Sequence, residues 1–177
     1  MAKKINLYKL IRSYLDFPKK GILFRDVNPV FRNNLALNFI SHQFSRTFDK
    51  QHIDTVAGIE SRGFILATAL ALELEKGIIL VRKAGKLPGL TIKKSYDIEY
   101  GNAIMEIQKD AVRHGERVLI ADDLIATGGT AIVAADLIEQ LGGSIAAFAF
   151  VVELANLGGA NKLRNRGYNV HSLAVYD

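Results

Sequence analysis

The run Val118-Leu119-Ile120-Ala121-Asp122-Asp123-Leu124-Ile125-Ala126-Thr127-Gly128-Gly129-Thr130-Ala131 decides the fold of this 177-residue chain. Its first four residues are all apolar and read as a strand buried on both faces, as in parallel sheets. Two carboxylates, Asp122 and Asp123, follow where such a strand emerges at its C-terminal edge, the edge at which open α/β sheets bind ligands. Ala126, Thr127, Gly128, Gly129 and Thr130 come next, ahead of a helix-compatible run over residues 131–141. Glycines let backbone N–H groups approach a phosphate closely, threonine hydroxyls add donors, and a helix N-terminus favours negative charge. Two acids ahead of such a cradle suit ribose hydroxyls and a Mg²⁺-bearing pyrophosphate, so the expected ligand is a phosphorylated sugar.

Outward from this motif, apolar strands alternate with helical runs, which predicts an α/β fold with a mainly parallel twisted sheet flanked by helices. Apolar residues at 7, 10, 11, 14 and 15 predict an amphipathic helix over residues 5–15. A turn-rich stretch follows to residue 29, then a helix over 34–48. Residues 55–59 read as a buried strand feeding Glu60-Ser61-Arg62-Gly63 and an apolar helix to residue 74. Residues 78–81 form the next strand, and the basic, polar stretch 82–100 reads as an excursion from the sheet. Strands over 102–107, 144–152 and 170–175 and a short helix near 161–166 complete the pattern.

Composition narrows the classes. The length suits one domain, residues 1–177, with a well-buried core, and 49% hydrophobic residues exclude disorder as the main state. No apolar stretch approaches the roughly 20 residues that span a bilayer, and the N-terminus lacks the apolar core of a secretory signal. The absence of cysteine removes disulfides, thiolate metal sites and cysteine nucleophiles, so a cytoplasmic protein without a membrane partner is the expectation. A net charge of +5 points to anionic partners, and the acidic pair favours a polyphosphorylated small molecule over nucleic acid. No two glycines lie two apart, so the GxGxxG fingerprint is excluded, and neither GxxxxGK[ST] nor HExxH occurs.

Three further constellations carry chemistry. Glu60-Ser61-Arg62-Gly63 joins a helix N-terminus to a guanidinium, which grips phosphate oxygens in two-point fashion. Arg82-Lys83-Ala84-Gly85-Lys86-Leu87-Pro88-Gly89 places three cations past a strand end. Gly21-Ile22-Leu23-Phe24-Arg25-Asp26-Val27-Asn28-Pro29 offers an aromatic face and backbone groups to a flat heterocycle.

Taken together, these motifs resemble the type I phosphoribosyltransferases, whose 5-phosphoribosyl pyrophosphate (PRPP) motif the run 118–130 matches. The variant here, with Arg-Lys-x-Gly-Lys-Leu-Pro-Gly downstream, is most similar to the adenine-using branch. The resemblance spans about residues 14–152 and implies a purine-salvage reaction, adenine plus PRPP giving AMP and pyrophosphate. It implies an N-terminal helix and base-binding hood over about 1–34, a core over about 35–177, and a mobile catalytic loop over about 83–107. It further implies that Asp122 and Asp123 hold the ribose while Ala126, Thr127, Gly128, Gly129 and Thr130 take the 5′-phosphate. Ser61, Arg62, Lys83 and Lys86 would hold pyrophosphate, with Arg82 reaching it from a neighbouring subunit of a homodimer. Leu23, Phe24, Arg25 and Leu124 would hold the base. Ser95-Tyr96-Asp97-Ile98-Glu99-Tyr100-Gly101 resembles the family's lid, with Glu99 assisting at the purine and Tyr100 closing the site; a lid shields a cationic sugar from water. Mg²⁺ would be carried mainly by PRPP, with no direct protein ligand. Glu60 departs from the Asp frequent in the family. Two alternatives share the scaffold: a transferase for a 6-oxopurine (hypoxanthine, guanine or xanthine), and a regulatory protein that senses PRPP or nucleotide.

Overall fold

A computed structural model describes residues 5–98 and 101–177; for Asp97, Ile98 and Gly101 only the backbone is described. The elements in chain order are α1 (Leu7–Leu10), β1 (Arg12–Leu15), β2 (Leu23–Asp26), α2 (Asn28–Arg32), α3 (Asn34–Phe48), β3 (Thr55–Ile59), α4 (Gly63–Glu73), β4 (Gly77–Lys83), β5 (Thr91–Ile98), β6 (Gly101–Gln108), β7 (Arg117–Ile125), α5 (Gly129–Gln140), β8 (Ser144–Leu154), α6 (Gly159–Asn165) and β9 (Val170–Tyr176). Seven strands form one sheet in the order β5-β6-β4-β3-β7-β8-β9. The run from β4 to β9 is parallel, and β6 and β5 add antiparallel at one edge.

Strand alternation sorts the core into two layers. Val56, Leu119 and Ala121 face α3 and α4, meeting Ile40, Phe44, Leu66 and Leu70. Ala57, Ile59, Val118 and Ile120 face α5, meeting Val133, Ala134, Leu137 and Ile138. Helix α3 starts where expected because the Asn33 side chain accepts from the amides of Leu35 and Ala36, at 3.0 and 3.1 Å. Its buried residues Ala36, Ile40, Phe44 and Phe48 recur every fourth position and form one stripe.

Two stretches differ from the sequence reading. The helix expected over residues 5–15 stops at Leu10, and Arg12–Leu15 instead pairs antiparallel with Leu23–Asp26 as a separate two-stranded ribbon. So short a helix is marginal, whereas the ribbon gains a ladder and an Arg12–Asp26 ion pair at 2.8 Å. Of residues 82–100, expected outside the sheet, the described part (82–98) leaves it as a loop over 84–90. Strand β5 then pairs with β6 along its whole length. Ile92 and Tyr96 pack towards the α5 core, and Lys94 reaches Asp136 of α5 at 2.9 Å. The lysines in this strand masked its apolar alternation. No described helix is long and apolar enough to cross a membrane.

Candidate active site

Strand order creates the site. From β3 the chain moves outward to β4 through α4, on one face; from β7 it moves the opposite way to β8 through α5, on the other. The C-terminal ends of β3 and β7 therefore flank a crevice where the winding reverses, the position at which open sheets hold ligands. The two motifs that end in a helix, Glu60-Ser61-Arg62-Gly63 and Asp122 to Thr130, leave adjacent strands into this crevice.

Gly63 lets α4 start against the acids: a Cβ there would lie 2.7 Å from Asp122 Oδ1 and 2.8 Å from the Ala121 carbonyl. Arg62 Nε donates to Asp123 Oδ2 at 2.5 Å, and its guanidinium carbon lies 5.6 Å from the centre of the Phe24 ring. One arginine thus touches the paired acids and the aromatic strand together. Asp122 Oδ1 accepts from the Asp123 amide at 2.8 Å. Burial first, and the negative charge of Asp123 second, push the Asp122 carboxyl well above its ordinary value. A carboxylate in that setting gains from a neighbouring positive charge. Ser61 is exposed at the mouth of the crevice, after a cis Glu60–Ser61 peptide.

The loop expected to cradle phosphate is held from behind. Gly128 takes φ +83° at the N-cap of α5, a conformation glycine adopts without steric penalty. The first-turn N–H groups of α5 have no partner inside the helix. Ala126, Thr127, Gly128, Gly129, Thr130, Asp122 and Leu124 line a cavity of about 120 Å³. Three contacts outside the motif shape it. The Gly159 amide donates to the Ala126 carbonyl at 3.0 Å, Lys162 Nζ donates to the Thr127 carbonyl at 3.1 Å, and the Tyr96 and Thr130 hydroxyls share a hydrogen bond at 3.2 Å. Tyr96 belongs to the stretch read as a lid, but its contact with Thr130, and the parts played by Gly159 and Lys162, were not read from the sequence. The Gly158-Gly159 pair signals a turn, but its target lies about thirty residues away.

The end of β4, with Arg82 and Lys83, and the loop after it, with Lys86, are pinned by two carboxylates. Glu60 accepts from Arg82 Nε at 3.1 Å and from the Lys83 amide at 3.0 Å, and Arg82 Nη1 also donates to the Lys86 carbonyl at 3.0 Å. The Arg82 guanidinium is thus engaged by Glu60 of its own chain. Burial pushes the Glu60 carboxyl up, but the Lys83 amide and Arg82 outweigh it and hold it below its ordinary value. Glu106, almost fully buried, accepts from the Lys86 and Leu87 amides at 2.8 and 2.9 Å. Burial raises it too, and these amides, with Lys93 and Thr91, bring it below the ordinary value. The Lys83 and Lys86 side chains stay exposed on this tethered loop. Glu106 was missed, although a lone acid between Met105 and Ile107 is a readable signal of a buried anchor.

Leu23, Phe24 and Arg25 lie on β2 of the ribbon. Phe24 is half-buried, edge-on to Phe17 at 5.0 Å, and Leu23 is exposed. Arg25 donates to Ser13 Oγ at 2.5 Å. Leu124, at the end of β7, is half-buried against the α3–α4 layer. Glu99 and Tyr100 lie outside the described residues.

With this geometry in hand, comparison with known proteins is specific. The phosphoribosyl transferase domain family matches residues 31–173. The adenine phosphoribosyltransferase of Nitrosopumilus maritimus is 53% identical over 172 residues, which are 97% of this chain and all of that one. The crystal structure of adenine phosphoribosyltransferase from Thermoanaerobacter pseudethanolicus superposes with a TM-score of 0.92 at 42% identity, covering 96% of this chain and 98% of that chain. The Saccharomyces cerevisiae enzyme, solved with an imino-altritol bisphosphate and adenine, gives a TM-score of 0.88 at 43% identity, covering 94% and 96%.

Proposed function

Because the chain belongs to the adenine phosphoribosyltransferases, we propose that it transfers the 5-phosphoribosyl group of PRPP to adenine, giving AMP and pyrophosphate for purine salvage. The observation that carries this reading is Arg62, which joins the paired acids of the PRPP motif to the aromatic ribbon strand across the crevice.

The roles follow from position. The cradle Ala126, Thr127, Gly128, Gly129 and Thr130 holds the 5′-phosphate with backbone and hydroxyl donors. Asp122 and Asp123 hold the ribose hydroxyls beside the anomeric carbon. As the bond from that carbon to pyrophosphate lengthens, positive charge grows on the sugar, and the two carboxylates stabilise it. Ser61, Arg62, Lys83 and Lys86 surround the departing pyrophosphate with donors, and Arg82 reaches it from the neighbouring subunit of a homodimer. Adenine, held by Phe24 and Leu124 with the main chain of Leu23 and Arg25 at its edge, forms the new N–C bond through its imidazole nitrogen. Glu99 manages the purine proton and Tyr100 helps close the lid.

Among the described residues no group of three or more histidine or carboxylate side chains is arranged to hold a metal. Mg²⁺ would be carried mainly by the phosphates of PRPP, keeping several of its waters, with the paired acids beside it on the ribose rather than as its ligands. When bound, Mg²⁺ neutralises charge on the pyrophosphate.

We further propose one domain in three parts, ribbon, core and the β5–β6 lid, working as a cytoplasmic homodimer. The homodimer is supported by an apolar surface. Ile78 and Leu80 of β4 and Ile104 of β6 point away from the α5 layer and are exposed, as are Ile65 and the 77%-exposed Leu72 of α4. Such a patch marks an association surface.

A panel of bases with PRPP and Mg²⁺ tests the function. Adenine is expected to exceed hypoxanthine and guanine by at least about a hundredfold in kcat/KM. Comparable rates with a 6-oxopurine overturn the base assignment, and no turnover with any base favours the sensing reading.

A further inference from the structure

The chain's penultimate residue packs against the ribbon that carries the base. We propose that Tyr176 is a positioning residue for adenine, acting through Arg25; the inference rests on the reading of Leu23, Phe24 and Arg25 as the base-binding strand.

The ribbon has little to hold it. Strands β1 and β2 pair only with each other, and Tyr14, Leu15 and Leu23 are exposed; an isolated two-stranded hairpin is marginal in water. On the site side it meets the body through Phe24 and Arg62. On the other side the Arg25 guanidinium carbon lies 4.0 Å from the centre of the Tyr176 ring, a stacked cation–π contact. The same guanidinium donates to Ser13 Oγ, so its face and its edge are both engaged.

Tyr176 is itself fixed. It ends β9, the outer strand of the sheet, whose free edge is covered by Tyr8 of α1. The Tyr8 phenol oxygen accepts from the Val175 amide at 3.0 Å and donates to the Val175 carbonyl at 3.3 Å. The two tyrosine rings meet edge-on at 5.2 Å. Tyr8 therefore holds the strand end, Tyr176 stacks on Arg25, and Arg25 orients the backbone that borders the base.

All members of this clamp lie outside residues 31–173, the stretch matched by the general domain. The shared core contains the cradle and the paired acids, whereas the clamp ties α1 and β9 to the back of the base-binding strand. Its loss should therefore act on adenine and leave PRPP alone, a split that a merely structural role does not produce.

Tyr176→Leu, Tyr176→Phe, Tyr8→Phe and Phe24→Leu are compared with wild type by KM for each substrate at saturation of the other, with Tm as the folding control. Tyr176→Leu should raise the adenine KM about tenfold and keep the PRPP KM within about twofold, while Tyr176→Phe, which keeps the ring, stays near wild type. Tyr8→Phe should raise the adenine KM about threefold. A folded Tyr176→Leu with an unchanged adenine KM, or with both KM values rising together, overturns the proposal. If Tyr176→Leu does not fold, the exposed Tyr8→Phe decides by the same split. Phe24→Leu separates the two readings. If it raises the adenine KM and Tyr176→Leu does not, only the clamp fails; if neither raises it, the base-strand reading fails too.

Discussion

Replacing Gly159 by alanine should damage PRPP binding from outside the PRPP motif. A Cβ on Gly159 would lie 2.2 Å from the Ala126 carbonyl oxygen and 2.5 Å from the Gly128 nitrogen. Side-chain carbons do not approach backbone closer than 3.0 Å, so the cradle must retreat by on the order of 1 Å. That retreat also stretches the Gly159-to-Ala126 hydrogen bond and moves the amides proposed to hold the 5′-phosphate. A displacement of about 1 Å at such a site costs roughly a hundredfold, which equals about 2.8 kcal/mol. One hydrogen bond to a charged group, worth about 1.5–3 kcal/mol, accounts for it. The assay is kcat/KM for PRPP at saturating adenine, with ribose 5-phosphate as a competitive probe of the cradle alone. Gly158→Ala is the matched control. Its φ is +70° but no atom lies within 4 Å of the new Cβ, so it should lower stability by about 1 kcal/mol without changing the PRPP constants. Gly159→Ala with wild-type constants for PRPP and ribose 5-phosphate would show that the cradle does not depend on this contact.

Asp122→Asn should lower kcat by about ten- to a thousandfold and change stability in a pH-dependent way. The Asp122 carboxyl is raised above its ordinary 3.8 by burial and by Asp123. Below 3.8 the folded and unfolded chains both hold the proton. As pH rises towards the raised value the unfolded chain releases it first, and the folded state loses stability. Asparagine has no such loss, so the Tm of the variant minus that of wild type should widen from about pH 4 to pH 7; a constant difference contradicts the assignment. Leu80→Lys, on the uncovered face of β4, should turn a homodimer into monomers in sedimentation velocity, because a buried unpaired charge costs several kcal/mol. A monomeric wild type removes the basis of that expectation.

Elements whose chemistry is local were legible early. The 118–130 run announced a strand, a pair of acids and a cradle, and β7, the Gly128 cap and α5 lie there. The helix expected over residues 34–48 is α3, and the helix expected after Gly63 begins there as α4. Where two patterns competed, pairing decided. Residues 12–15 have helical spacing and nevertheless form a strand, because Leu23–Asp26 supplies the ladder and Asp26 the counter-charge. The lysines of β5 look like loop residues until Lys94 finds Asp136 and Lys93 finds Glu106.

The sequence by itself determined which groups are available: a Thr-Gly-Gly-Thr loop after a buried strand, two adjacent acids, an arginine at a second strand end and a basic loop. Those properties reside in neighbouring residues, whose spacing is set by backbone geometry. Only the tertiary structure decided which of them meet. Arg62 reaches Asp123 because strand order places β3 beside β7, and it reaches Phe24 because the ribbon packs against the start of α4. Gly159 and Lys162 support the cradle, Glu60 and Glu106 hold the basic loop, and Tyr176 stacks on Arg25. Each of these contacts joins residues some twenty to one hundred and fifty positions apart, and such pairings depend on how the whole chain buries its apolar surface rather than on any local pattern.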